Sequence, residues 1–203
     1  MKSYIIYLPQ FETSTQWANH ALATGLDHGW DVELFVGVDG RTVDGDLWNT
    51  TGISINQTNA KCHDMMQWPG VRGCFLSHYT LWKLCVELNE PIGIFEHDVE
   101  FCKPEPTVKF DHLLKLEGFS LKKPRPAGKW YEGARAYILK PIGAQRLVEW
   151  VHANGAIAAD VCIGLNVLDI TLYNENIVQL AQTHANKQDK HTQSFTWNLT
   201  QMV

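Results

Sequence analysis

The sequence predicts an α/β fold with a mostly parallel central sheet flanked by helices. Three observations carry that expectation. Residues 4–36 read as strand, helix, strand, the order of a right-handed βαβ unit. A buried helix over 74–88 leads at once into a short apolar strand, Pro91 to Phe95. Hydrophobic residues make up 45% and charged residues 19%, which suits a folded globular chain and excludes a disordered one. At 203 residues the expected organisation is one domain, 1–203.

Each element has a local cause. Tyr4 to Leu8 is an apolar run closed by Pro9, hence a buried strand. Thr13 or Ser14 can cap a helix that runs to about His28, where Gly29 stops it. Asp31 to Val36 is a second strand, ended by Gly37 and followed by Val38-Asp39-Gly40. Residues 41–69 are polar and turn-rich, and read as a long surface excursion. Gly70 to Gly73 leads into the helix over 74–88, whose Phe75, Tyr79, Trp82 and Val86 share one face. After the Pro91–Phe95 strand comes Glu96-His97-Asp98-Val99-Glu100-Phe101. Residues 107–117 read as a helix, and 120–133, with its Pro, Gly, Lys and Arg, as a loop. Ala136 to Leu139 is a strand. Pro141 suits the first turn of a helix that ends near Asn154-Gly155. Asp160 to Leu168 reads as a short helix, Ile170 to Tyr173 and Ile177 to Leu180 as late strands, and 185–203 as a polar tail.

Charge and cysteine usage narrow the class. A net charge of −5 argues against a wholly basic nucleic-acid binder while leaving room for a local basic strip. The five cysteines (Cys62, Cys74, Cys85, Cys102 and Cys162) are odd in number and lack CxxC spacing, so they read as reduced, mostly buried thiols of a cytoplasmic protein. The apolar opening is too short for a secretory leader, and no run approaches the roughly 20 residues of a membrane span. The Asn-x-Thr triplets at Asn49, Asn56 and Asn198 are then chance matches. Most of the eight Trp read as core.

Two features carry chemistry. Glu96-His97-Asp98 ends a buried strand, and ligands of open α/β sheets gather beyond the C-terminal ends of strands. Carboxylates crowded there repel each other, and a hard divalent ion such as Mn²⁺ or Mg²⁺ relieves the repulsion. Taken alone, the same cluster also reads as a solvated acidic turn. In Gly73-Cys74-Phe75-Leu76-Ser77-His78, the Ser and His fall early in the expected helix, where free amides favour anions. A lone His at such a place is more often a structural hydrogen-bonder, and on the residues alone that is the stronger reading of His78.

The stretch Gly70-Val-Arg-Gly-Cys-Phe-Leu-Ser-His-Tyr-Thr-Leu-Trp-Lys83, followed by Gly93-Ile-Phe-Glu-His-Asp-Val-Glu-Phe101, closely resembles glycosyltransferase family 25. Family hallmarks are a Gly-Cys-x-x-Ser-His helix start and an apolar strand ending in Glu-Asp-Asp. Val38-Asp39-Gly40, the Gly133–Leu147 block, Ala159-Asp160 and Thr183-His184 extend the resemblance in order along the chain. It implies a GT-A fold that binds a nucleotide sugar and transfers a hexose, galactose or glucose, from a UDP-sugar with inversion.

The resemblance also implies roles. Asp98 would be the main metal ligand, with Glu96 beside it and His184 as a third. Asp39 would seat the nucleotide. Ser77, His78 and Arg72 would shape the donor pocket. Asp160 would act as general base, although it reads equally as a helix cap before Val161. Two departures stand out: His97 replaces the middle acid, and no Arg follows strand one. A diphosphate then needs another cation, and Lys122, Lys123, Arg125, Lys129 and Arg135 can supply it. The implied acceptor is a glycan or lipopolysaccharide. The alternatives are hydroxymethylated DNA, approached by a compact phage enzyme through the basic loop with Trp130 and Tyr131, and a catalytically inactive nucleotide-sugar-binding module.

Overall fold

A computed structural model describes residues 1–43, 51–58, 60–116, 133–164, 167–173 and 175–181. The elements run β1 (Lys2–Tyr7), α1 (Glu12–Asp27), β2 (Asp31–Val36), α2 (Ala60–Met66), α3 (Pro69–Leu88), β3 (Ile92–Glu96), β4 (Val99–Phe101), β5 (Leu113–Lys115), β6 (Ala136–Leu139), α4 (Pro141–Asn154), α5 (Ala159–Cys162), β7 (Ile170–Leu172) and β8 (Val178–Leu180). The main sheet has the order β2-β1-β3-β6-β5-β7. β1 pairs in parallel with β2 and β3, and β5 with β7, while β6 runs against β3 and β5. The sheet is therefore mostly parallel, as expected, with one reversed strand. β4 and β8 form a separate antiparallel pair.

Strand alternation sends neighbouring side chains into two cores, one on each face of the sheet. Tyr4, Ile94, Leu113 and Tyr137 join the cluster that contains α3 and α4 residues such as Phe75, Trp82 and Leu147. Ile5, Phe95, Leu114 and Ile138 join the cluster with Ala18 and Ala21 of α1, Trp30, and Phe101 of β4. Trp30 and Trp82 are both fully packed, which bears out the core reading for these two. β3 is buried on both faces along most of its length, and its last residue, Glu96, sits at the rim.

Several expectations need correction. α1 starts at Glu12 with Phe11 as its N-cap, so neither Thr13 nor Ser14 caps it. The Ser14 hydroxyl instead accepts the Leu8 N–H at 3.0 Å and pins the turn after β1. The stretch 41–69 is not purely a surface excursion: it includes α2, buried Ile53 and Met66, and a parallel bridge from Ile55 to Ala156. Asn56 is buried and its side-chain amide donates to Asn154 O, so it is no glycan acceptor in the folded chain. The helix expected over 107–117 is absent; Leu113–Lys115 is a strand between β6 and β7, selected by two ladders rather than by local propensity. α5 ends at Cys162, well short of Leu168. Cys74, Cys85 and Cys102 are free thiols, the first and third only partly buried, and the buried Cys162 Sγ donates to Ile157 O at 3.6 Å. Among the described residues, no helix is long and apolar enough to cross a membrane. Asn49, Asn198 and the tail 185–203 lie outside the described residues.

Candidate active site

The site begins with a backbone contact. A methyl group on Gly40 would fall 1.6 Å from Pro69 O, and one on Gly73 would fall 2.4 Å from Val38 O. The first turns of α3 thus press directly onto the loop after β2, and only glycine permits it. Ser77 locks this contact: its Oγ donates to Gly73 O at 2.7 Å and accepts the Val38 N–H at 2.8 Å. α3 starts at Pro69, several residues earlier than expected. Ser77 and His78 therefore lie in its third turn, where backbone amides are already used, so the free-amide argument for anion binding fails for both.

Beneath α3 lies a polar cluster on the same face as the larger core. His78 is fully buried. Its Nδ1 is 2.8 Å from the Tyr137 hydroxyl, which also accepts the Trp82 indole N–H at 2.9 Å. Its Nε2 faces Glu96 Oε1 at 3.8 Å, too far for a hydrogen bond. Cys74 sits one turn before His78, with its Sγ 4.0 Å from the same Glu96 oxygen. Burial opposes ionisation of Glu96, but His78, the Arg135 guanidinium and His97 outweigh it and bring the carboxyl down to about 2. Burial, with the charges of Glu96 and Asp160, pushes the Cys74 thiol well up.

Because β6 is reversed, the start of β6 meets the end of β3. Glu96 N–H donates to Arg135 O at 2.8 Å, and the Arg135 Nε lies 3.4 Å from Asp98 Oδ1. Asp98 is buried, and its backbone oxygen accepts the Ala181 N–H at 3.1 Å. Asp160 stands in the first turn of α5. Burial and the Glu96 charge raise its carboxyl above the ordinary aspartate value, against backbone hydrogen bonds and the charge of Lys115. Lys115, at the end of β5, is fully buried and donates from Nζ to Gly133 O at 2.7 Å. Asp160, Glu96, Cys74 and Lys115 thus share one electrostatic neighbourhood.

A second polar group lies beyond β1 and β2. Arg41 grips both oxygens of Asp39, at 2.5 Å from Nη2 and 2.9 Å from Nε, and Gln10 donates to Asp39 at 2.9 Å. The Arg41 guanidinium also stacks 4.3 Å over the Phe11 ring. Its hydrogen bonds hold the Asp39 carboxyl well below the usual range, against partial burial. Arg72, on α3, has a buried Nε with no hydrogen-bond partner among the described residues.

Of the expected site residues, Glu96, Asp98, His78 and Arg135 converge, Asp160 lies near enough to feel the Glu96 charge, and Asp39 is held by Arg41 and Gln10. His184, Lys122, Lys123, Arg125, Lys129, Trp130 and Tyr131 lie outside the described residues. Sequence reasoning missed Lys115, hidden in the supposed helix, and Arg41, for which no local signal exists. It also passed over Cys74 and Tyr137, although both stand inside the quoted motifs.

The family model for glycosyltransferase family 25, described as an LPS biosynthesis protein, matches residues 1–123. The chain belongs to glycosyltransferase family 25. The matched stretch holds Val38-Asp39-Gly40, the Gly73–His78 motif and Glu96-His97-Asp98; Asp160 lies beyond it. A glycosyltransferase 25 family member of Aedes aegypti is 33% identical over 170 residues, 71% of this chain and 28% of its own length. One of Anopheles gambiae is 33% identical over 98 residues, 47% of this chain and 17% of its own. The family 25 chain therefore spans less than a third of either relative. Among solved structures, the galactosyltransferase LgtC with donor and acceptor sugar analogs aligns with a TM-score of 0.45 at 10% identity, covering 85% of this chain and 73% of that one. A mutant Drosophila β1,4-galactosyltransferase 7 with manganese, UDP-Gal and xylobiose aligns at 0.42 and 10%, covering 91% and 73%.

Proposed function

We propose that residues 1–203 form one GT-A-like glycosyltransferase domain that moves a hexose, galactose or glucose, from a UDP-sugar to an acceptor hydroxyl with inversion. The observation that carries this reading is the pair of carboxylates at the C-terminal end of β3 in a family 25 chain, Glu96 at the strand's last residue and Asp98 beside Arg135. The donor set fits Mn²⁺ or Mg²⁺: Glu96 stays ionised, and Asp98 already faces a positive group, Arg135. Asp98 and Glu96 would hold the ion. His184 would join them as a third ligand. When bound, the ion neutralises charge on the departing diphosphate.

The residues divide the remaining work. Asp39, with Arg41 and Gln10, forms the rim that seats base or ribose. Arg72, Lys129 and Arg135 supply positive charge toward the diphosphate, and Ser77 and His78 hold the donor pocket in shape. Asp160 takes the acceptor proton as the hydroxyl attacks the anomeric carbon, and its raised pKa makes it a stronger base than an ordinary aspartate. The proposed acceptor is a glycan or lipopolysaccharide. A net charge of −5 favours it over hydroxymethylated DNA and a phage role. Free thiols at Cys74, Cys85 and Cys102 support a reducing, cytoplasmic setting.

The test is UDP release from UDP-galactose and UDP-glucose with Mn²⁺ and a glycan acceptor. The expected result is turnover that falls by a factor of about 100 or more in Asp160→Asn. Unchanged turnover in that variant removes the base assignment, and no nucleotide release from any donor removes the enzyme reading in favour of an inactive module.

A further inference from the structure

We propose that Cys74, His78 and Glu96 form a second metal site, selective for a borderline divalent cation of the Zn²⁺ class, which adjoins the oxygen-rich site at Asp98 through the shared Glu96 carboxylate. The three ligand atoms lie within 4.8 Å of one another. The 3.8 Å from His78 Nε2 to Glu96 Oε1 is too long for a hydrogen bond, and the Cys74 thiol reaches the same oxygen only in a long one of 4.0 Å. Both spacings approach the separation of neighbouring ligands around one ion with metal–ligand bonds of about 2.0–2.3 Å.

The second observation is His78 itself. It is fully buried, and its Nε2 has no hydrogen-bond partner among the described residues. A buried ring nitrogen that makes no hydrogen bond, with its nearest polar neighbour Glu96 Oε1 at 3.8 Å, carries a desolvation cost that an ion would remove. Its other nitrogen is already served, 2.8 Å from the Tyr137 hydroxyl, which the Trp82 indole N–H also contacts. A tyrosine oxygen has two lone pairs, so it can accept both N–H groups and leave the Nε2 lone pair facing Cys74 and Glu96. A metal-ligating His commonly donates its second N–H to such an oxygen.

Chemistry sets the choice of ion. Thiolate and imidazole favour Zn²⁺, while Mg²⁺ prefers oxygen. Cys74 and His78 are four residues apart on α3 and share one face, and Glu96 ends β3, so the ion would tie helix to strand. Cys74 and Glu96 are only partly buried, which leaves a route in and a fourth position for water. Both contacts of Glu96 in this cluster come from Oε1; Oε2 is not part of it. Binding replaces the thiol proton, which leaves to solvent.

The experiment titrates reduced, metal-free full-length protein with Zn²⁺ alone, and with Co²⁺ as a spectroscopic probe. The expected result is uptake that includes one equivalent bound through thiolate, seen as a thiolate–cobalt absorption band that Cys74→Ser abolishes. Tyr137→Phe should weaken binding by about 10–100-fold. Asp98→Ala should keep Zn²⁺ uptake while losing sugar-nucleotide turnover, which separates this proposal from the enzyme reading. Zn²⁺ should also slow alkylation of Cys74 in the wild type, read by mass spectrometry, which needs no variant to fold. No uptake, unchanged affinity in Cys74→Ser, or an alkylation rate of Cys74 indifferent to Zn²⁺ would overturn it.

Discussion

Gly40→Ala is the sharpest test of how α3 is seated. Gly40 has an ordinary φ, so alanine meets no backbone strain, only sterics. Its new Cβ would lie 1.6 Å from Pro69 O and 2.6 Å from Pro69 C, both backbone atoms. No rotamer change can relieve that overlap, so α3 or the loop after β2 must move by more than an ångström. Overpacking of this kind costs about 1–3 kcal/mol. For a domain of this size each kcal/mol lowers Tm by about 2–4 °C, so a fall of about 2–12 °C is expected by circular dichroism. The same shift carries Cys74 and His78 away from Glu96, so site function should fall with stability. Gly29→Ala is the control. Gly29 has φ +76° and open space around it, so it carries only the left-handed backbone penalty of about 1–2 kcal/mol and leaves the site intact. A Gly40→Ala protein with unchanged Tm would refute the backbone-to-backbone seating.

Further outcomes follow from the charged groups. The acidic limb of the kcat/KM profile should lie above the ordinary aspartate range, because the Asp160 base must be ionised and its pKa is raised. Lys115→Met removes a charge that favours the ionised form, so that limb should move further up; a limb that stays put would exclude coupling between the two residues. Glu96 has a depressed pKa, so its stabilising contribution is present above pH 4.5 and lost as pH falls toward about 2. The stability gap between wild type and Glu96→Gln in urea unfolding should narrow over that window, and a gap that widens on acidification would contradict the assigned direction.

Punctuated elements were legible in the sequence. Asp31–Val36 and Ala136–Leu139 fall where glycines and apolar runs put them, and Pro141–Asn154 lies between the proline and glycine that favour its two ends. β5 was not legible, because three residues held between two partners leave no local period, and Leu-Leu-Lys reads as well on a helix. Losing that strand also hid Lys115 and its neighbourhood with Asp160. The start of α3 was placed late because Gly70 and Gly73 look like breakers, whereas Gly73 is there for a close approach to Val38. The acidic strand end was legible from Glu96 and Asp98. Its pairing with Arg135 was not, since it depends on β6 running backwards beside β3. The Asp39–Arg41–Phe11 group needs the ends of β1 and β2 side by side, which only the fold supplies.

The central claim is that Asp98 supports an ion that in turn supports a nucleotide diphosphate. Calorimetric titration of UDP in the presence of Mn²⁺, wild type against Asp98→Ala, measures it directly. The expected result is metal-dependent UDP binding in the wild type, with stabilisation of about 2.7 kcal/mol at 100 times Kd, and loss of the metal dependence in Asp98→Ala. Equal, metal-supported UDP affinity in both proteins would contradict the account.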